Sequence, residues 1–232
     1  MSRSYRPGIL EVERNHLQAL LAAETPHGYR DAMQRLGEDL GRRVSADAPA
    51  NGTCMVVCTV EDADFLARGF LEVLGDALGT ERIVLRCFWN ERRRVDGTEI
   101  APIVRRYSEP GDDITALVVI KSIISGACVV RTNLMEVLEH TAPSQIFVVA
   151  PVIHADAEQK LEREFPPEIT ERFSHVWLAR DDAREADGTI RPGIGGSVYT
   201  LLGLGGETEK NRYYPRLIHE RRALRHPELA AG

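Results

Sequence analysis

The sequence predicts an α/β fold with a mostly parallel central sheet flanked by helices. Three observations carry that prediction. Residues 53–60, 115–120 and 145–151 are apolar nearly throughout, as strands covered on both faces are. Amphipathic stretches of helical period separate them. At the centre, a short polar segment, residues 121–127, joins a strand to a helix, and in such folds ligands sit at the carboxyl ends of the strands.

Taken in order, residues 8–23 and 26–44 read as two helices. The first carries Ile9, Val12, Leu17, Leu20 and Leu21, and the second Tyr29, Met33, Leu36 and Leu40. Thr25 supplies an amino-terminal cap between them, and Pro26 suits the first helical position. The first buried strand, 53–60, follows a Pro- and Gly-containing turn. Glu61, Asp62 and Asp64 then open a helix through Leu66, Phe70, Leu71 and Leu74. Residues 81–89 read as the next strand, 90–97 as a charged turn, and 100–107 as an exposed or edge strand, because Pro102 is poorly tolerated in a central one. The strand 115–120 leads through the polar segment to a helix with Val130, Leu134, Val137 and Leu138. Residues 145–151 form a further buried strand, a helix runs through Ala155, Leu161 and Phe165, and 176–179 make a short strand. The whole, 1–232, reads as one domain, with amino-terminal helices over 8–44 and a loop with a carboxyl-terminal extension over 180–232.

Composition narrows the function. A chain of 232 residues with 43% hydrophobic and 28% charged residues is ordinary for a globular protein. Its net charge of -6 argues against a general nucleic-acid binder. No apolar run approaches bilayer length and the first residues lack a secretory segment, so no membrane association and a cytoplasmic location are expected. Cys54, Cys58, Cys87 and Cys128 lack metal-ligand spacing and read as buried thiols, except that Cys128 falls near a helix amino terminus, where a thiolate is stabilised. His154, His175 and His219 are too dispersed for a metal site, although His154 follows a strand end and is a candidate pocket residue.

The chemistry concentrates in two loops. In the central one, the first turn of the helix points free N–H groups at the loop, which suits a phosphate or carboxylate. Ser122 and Ser125 supply hydroxyls, Gly126 allows close approach of the backbone, Ala127 and Cys128 open the helix, and Lys121 brings a positive charge. The alternative is a plain strand-to-helix turn in which the serines only cap the helix. Glu61, Asp62 and Asp64 are explained by the helix dipole, or else they contact sugar hydroxyls or a cation. Arg86, Arg92, Arg93, Arg94, Arg105 and Arg106 make the most basic region of the chain, available to a substrate phosphate or to solvated and intersubunit pairing. The second loop, 180–199, is rich in glycine and contains Pro192. Its main chain at Thr189, Ile190, Gly195 and Gly196 suits reading the edge of a small planar base; a surface turn with a hairpin is the other reading. The charged tail, 207–226, reads as a packed terminal segment or a subunit contact.

These stretches in this order resemble the uracil phosphoribosyltransferases, of the type I phosphoribosyltransferase fold, over the length of the chain. Residues 25–40 resemble the family's amino-terminal helices, 120–128 its loop for the 5-phosphate of phosphoribosyl pyrophosphate, and 182–200 its uracil-reading loop. The strongest correspondence is 186–195, where Gly188, Ile190, Pro192, Gly193 and Gly195 match the family's spacing. The resemblance implies a pyrimidine nucleotide or another small phosphorylated ligand, a homodimer, and Mg2+ to offset pyrophosphate charge.

Three departures qualify it. Ile120 and Lys121 stand where the family's loop opens with an acidic residue and proline, and Ser125-Gly126-Ala127-Cys128 where it ends Thr-Gly-Gly-Ser. Val60-Glu61-Asp62 replaces Arg-Ala-Gly, and residues 196–200 replace Asp-Ala-Gly-Asp-Arg. A carboxylate on ribose orients the sugar as well as binding it, so losing it costs orders of magnitude in rate. The expectation is a divergent enzyme that binds a pyrimidine-like base or nucleotide and a phosphorylated sugar, with chemistry altered from pyrophosphate displacement. A noncatalytic nucleotide sensor or assembly partner and a genuine uracil phosphoribosyltransferase are the alternatives.

Overall fold

The computed structural model describes residues 2–186 and 188–225. Asp187 and His226, placed above in the base loop and the tail, lie outside the described residues. The chain opens with a short strand, β1 (Arg3–Tyr5), and two helices, α1 (Glu11–Ala22) and α2 (Pro26–Asp47). Thr25 caps α2 as its sequence predicts: its hydroxyl accepts the Gly28 amide at 3.2 Å. Strand β2 (Thr53–Thr59) runs into one continuous helical stretch built from α3 (Val60–Asp62), a π-helical turn (Ala63–Ala67) and α4 (Arg68–Leu78).

Next come β3 (Ile83–Asn90), a small hairpin of β4 (Arg93–Val95) and β5 (Thr98–Ile100), and the edge strand β6 (Ile103–Ser108). The charged turn expected at 90–97 is therefore a hairpin in its own right. Asp96 and Gly97 at its tip both have positive φ (48° and 79°), the conformation that lets a two-residue turn match strand twist. The central unit is β7 (Ile114–Ile120), the two-residue β8 (Ile123–Ile124) and α5 (Cys128–Leu138). Then follow β9 (Gln145–His154), α6 (Ala157–Glu162), α7 (Pro167–Thr170) and β10 (Phe173–Asp181), a longer strand than its apolar centre suggested. The minor hairpin β11 (Ala183–Arg184) and β12 (Ile190–Arg191) precedes α8 (Val198–Leu201), α9 (Glu207–Arg212) and α10 (Arg216–Arg225).

The sheet order is β1-β10-β9-β7-β2-β3-β6, with β8 extending the pairing to β9. Strands β10, β9, β7, β2 and β3 are parallel, and the edges β1 and β6 are antiparallel, which accommodates Pro102 just outside β6. Alternate residues of β2 divide between two cores. Cys54, Val56 and Cys58 join Leu36 and Phe70 on one face, while Met55 and Val57 join Val130 and Leu134 on the other. Helices α2 and α4 touch backbone to backbone through glycine. A Cβ at Gly37 would lie 2.1 Å from the Leu66 carbonyl oxygen, and one at Gly69 2.1 Å from that of Gln34, so alanine at either position forces the helices apart.

Candidate functional site

Parallel pairing of β2 with β7 sets Cys58 beside Ile120, so the residues just past both strand ends meet. Lys121 leaves β7 there and is buried. Its Nζ donates to Glu61 Oε1 at 3.0 Å, to Asp62 Oδ2 at 2.8 Å and to Ser122 Oγ at 3.3 Å. Asp62 also accepts the Ser122 amide at 3.2 Å and the Thr59 hydroxyl at 2.7 Å. Burial disfavours every charge in this cluster. Against it, Asp62 and Glu61 hold the Lys121 ammonium above its ordinary pKa, and Lys121 and Lys210 hold Glu61 below its own. Asp62 is left raised, because burial, reinforced by the Glu61 charge, outweighs Lys121.

These geometries change the roles expected of five residues. The Lys121 charge is taken up by two carboxylates rather than presented to a phosphate. Glu61 Oε1 and Asp62 Oδ2 are turned to Lys121 rather than to a sugar or cation, while Glu61 Oε2 is buried without a hydrogen-bond partner among the described residues. Ser122 is fully buried against Asp62. Asp64 points elsewhere: it accepts the Arg216 and Leu217 amides at 2.9 and 2.7 Å and the Tyr213 hydroxyl, and so caps α10.

Beyond this cluster, at the carboxyl ends of the parallel strands, lies a cleft of two lobes. The larger, about 260 Å³, is lined by Ser125, Gly126 and Cys128 at the start of α5 and by Arg92, Arg93, Arg94 and Glu99 of the β4–β5 hairpin. The smaller, about 220 Å³, is lined by Thr189, Ile190, Ile194, Gly196, Ser197 and Tyr199. Arg92, Lys121, Ile123 and Ser125 belong to both, so the lobes are contiguous. Of the expected site residues, the structure thus brings Ser125, Gly126 and Cys128 together with Thr189, Ile190 and Gly196. Ala127 packs half-buried against the α5 core, and Gly195 lies in the turn behind the smaller lobe, its amide donating to the Pro192 carbonyl at 3.2 Å.

Charge in the cleft is positive on one side. Arg93 pairs with Glu91 and Arg94 lies 3.8 Å from Glu99, whereas the Arg92 guanidinium has no hydrogen-bond or ion-pair partner among the described residues. A Cβ on Gly126 would meet nothing within 4 Å, so this glycine leaves open space at the helix start. The thiolate expected of Cys128 is not favoured there: burial pushes the thiol up, beyond what Arg131 and Arg92 offset, and its Sγ lies 3.3 Å from the Glu99 carbonyl oxygen. The Tyr199 phenol is likewise pushed up, by burial and by Glu61. His154 lines neither lobe and is paired with Asp156.

The second loop is held rigidly from behind. Arg3 forks onto the fully buried Asp181 with two 2.8 Å bonds, Asp181 accepts the Gly193 amide at 2.9 Å, and Arg3 also donates to the Gly193 carbonyl at 2.6 Å. The Tyr29 hydroxyl donates to the Ile194 carbonyl at 2.9 Å. Lys210, fully buried, ties α9 to the base of the hairpin through Asn90 O at 2.6 Å and lies over the Tyr199 ring. Sequence reasoning passed over Arg3, Asp181, Tyr199 and Lys210. Only Asp181 carried a signal, an acid at the carboxyl end of an apolar strand.

No protein-family model matches the chain, and no curated protein matches it. Among solved structures, that of the AQ2163 protein from Aquifex aeolicus is similar over 84% of this chain and 95% of its own, at 15% identity and a TM-score of 0.64, a likeness of fold. Weaker likenesses include a purine phosphoribosyltransferase from Pyrococcus horikoshii Ot3, at 11% identity and a TM-score of 0.42 over 65% of this chain and 83% of that one. Another is an adenine phosphoribosyl transferase from Trypanosoma brucei in complex with AMP, pyrophosphate and ribose-5-phosphate, at 10% identity and a TM-score of 0.45 over 77% and 86%. No helix of the described residues is long and apolar enough to cross a membrane. Among the described residues no group of three His, Cys, Asp or Glu could hold a metal ion.

Proposed function

We propose that the two-lobed cleft binds a pyrimidine nucleoside 5′-monophosphate or a close relative. The observation that carries this reading is the continuity of the lobes through Arg92, Lys121, Ile123 and Ser125. Phosphate lies in the larger lobe against the Ser125 hydroxyl, the Gly126 and Cys128 amides and the unpaired Arg92. The base lies in the smaller lobe, between the apolar surfaces of Ile123, Ile190 and Ile194 and the main chain of residues 189–196. The resemblance to uracil phosphoribosyltransferases supports the same assignment of the two loops, and implies a homodimer that sedimentation of the purified chain checks.

Displacement of pyrophosphate is not part of this proposal. The resemblance sets Glu61 and Asp62 where the family has its pyrophosphate-holding Arg-Ala-Gly, and both pair with the Lys121 cation. A noncatalytic sensor is the reading carried forward over an enzyme of altered chemistry, because Lys121 is paired with Glu61 and Asp62 rather than left free for a reacting group.

Thermal shift with uridine 5′-monophosphate, uridine, phosphoribosyl pyrophosphate and inorganic phosphate tests the binding reading. At a hundredfold excess over Kd a ligand stabilises by about 2.7 kcal/mol. The monophosphate is expected to stabilise more than uridine or phosphate alone. Failure of every nucleotide to raise Tm at millimolar concentration contradicts the assignment, and robust conversion of uracil and phosphoribosyl pyrophosphate to uridine monophosphate contradicts its noncatalytic part.

A further inference from the structure

We infer that Arg184 is the positioning residue of the phosphate lobe: by holding the Ser125 carbonyl outside the cleft, it turns the Gly126 amide N–H toward the ligand. This rests on the phosphate-binding reading above. Arg184 comes from β11, far along the chain from α5, yet its Nη2 donates to the Ser125 carbonyl oxygen and, at 3.0 Å, to Asp156 Oδ1. Ser125 and Gly126 line the larger lobe, and Arg184 lines neither lobe.

A trans peptide is planar, with its C=O and N–H pointing in opposite directions. Fixing the Ser125 carbonyl on Arg184 therefore fixes the Gly126 N–H on the far side of the same plane, where the cleft lies. Left free, a glycine-containing loop samples peptide orientations that put the carbonyl oxygen, an acceptor, against an anion. The guanidinium is itself held: Asp156 also takes Lys160 at 2.6 Å and His154, which ties it to the start of α6. Exposed ion pairs of this kind add little to stability, so the contact is one that orients the loop more than it holds the fold.

The same residue links the two lobes. Arg184 is the strand partner of Ile190, which lines the smaller lobe. Arg184 thus contacts the Ser125–Gly126 peptide from the strand that pairs with Ile190.

Calorimetric titration of wild type, Arg184→Ala and Arg184→Lys with uridine 5′-monophosphate and with uridine tests the role. Arg184→Ala is expected to lower monophosphate affinity about tenfold, the worth of one hydrogen bond to a charged group, while uridine affinity stays within about twofold and Tm is unchanged. Arg184→Lys, which retains one donor, is expected to recover part of the loss. Equal loss for both ligands, or no loss for the monophosphate, overturns the positioning role while leaving the binding reading intact. Absence of monophosphate binding by wild type overturns both.

Discussion

Replacing Lys121 with methionine leaves two carboxylates, Glu61 and Asp62, buried without their cation. Removing one partner of a buried ion pair costs about 3–5 kcal/mol, because the remaining charge is left uncompensated. For a chain of this size each kcal/mol corresponds to roughly 2–4 °C in Tm, so Lys121→Met is expected to lower Tm by about 6–20 °C. The loss depends on pH, and its sign follows from the partners. In wild type, Glu61 has a depressed pKa, so its contribution is present above the ordinary carboxylate value of 4.5 and fades as pH falls below it. Without Lys121, burial raises both carboxyls. They then fold readily as neutral acids at pH 5 and resist folding as anions at pH 8, so the gap to wild type widens with rising pH. The triple variant Glu61→Gln, Asp62→Asn, Lys121→Met removes all three charges and is expected to recover most of the loss. Differential scanning calorimetry of the three proteins at pH 5 and pH 8 is the assay. A drop of under about 2 °C, or a gap equal at both pH values, refutes the buried-cluster account.

Three further outcomes follow from individual contacts. Gly126→Leu puts a side chain into the open space of the larger lobe, so nucleotide affinity is expected to fall more than tenfold while Tm moves by under about 3 °C, measured by calorimetry and thermal shift. Asp64→Ala removes the two amide contacts that cap α10 and is expected to cost about 1–3 kcal/mol, with faster amide hydrogen exchange confined to residues 213–225. At Glu13, burial alone would raise the carboxyl, but the Arg43 fork at 2.6 Å and the Leu10 amide leave its pKa lowered. Its contribution is therefore lost as pH falls below about 4.5, so Glu13→Gln is expected to lose stability at pH 7 and to converge with wild type in acid, as urea unfolding at pH 7 and pH 3 would show.

The parallel sheet was legible because β2, β7 and β9 are apolar on both faces, and helix α2 because Thr25 and Pro26 mark its start. Strand order was not. Lys121 reads in sequence as a cation at a phosphate loop; only the adjacency of β2 and β7 shows that it emerges beside Glu61 and Asp62, some sixty residues earlier. The same gap hid Asp64, whose partners belong to α10, and Lys210, which sits in a charged tail with nothing local to mark it as buried. Strand β1, three residues long with alternating exposure, has too little pattern to announce itself, yet it delivers Arg3 to Asp181. That the two segments are loops was readable from glycine, proline and hydroxyl spacing; that they line one cleft was not. Their meeting depends on contacts between segments far apart in sequence.

Amide chemical-shift mapping during titration with uridine 5′-monophosphate tests the central claim most directly. The account predicts saturable shifts at Gly126, Ala127 and Cys128 together with residues 189–199, and little change in a separate groove, lined by Arg30 and Gln34 of α2 and by Arg216 and Glu220 of α10. Shifts confined to that groove, or none at millimolar nucleotide, would contradict it.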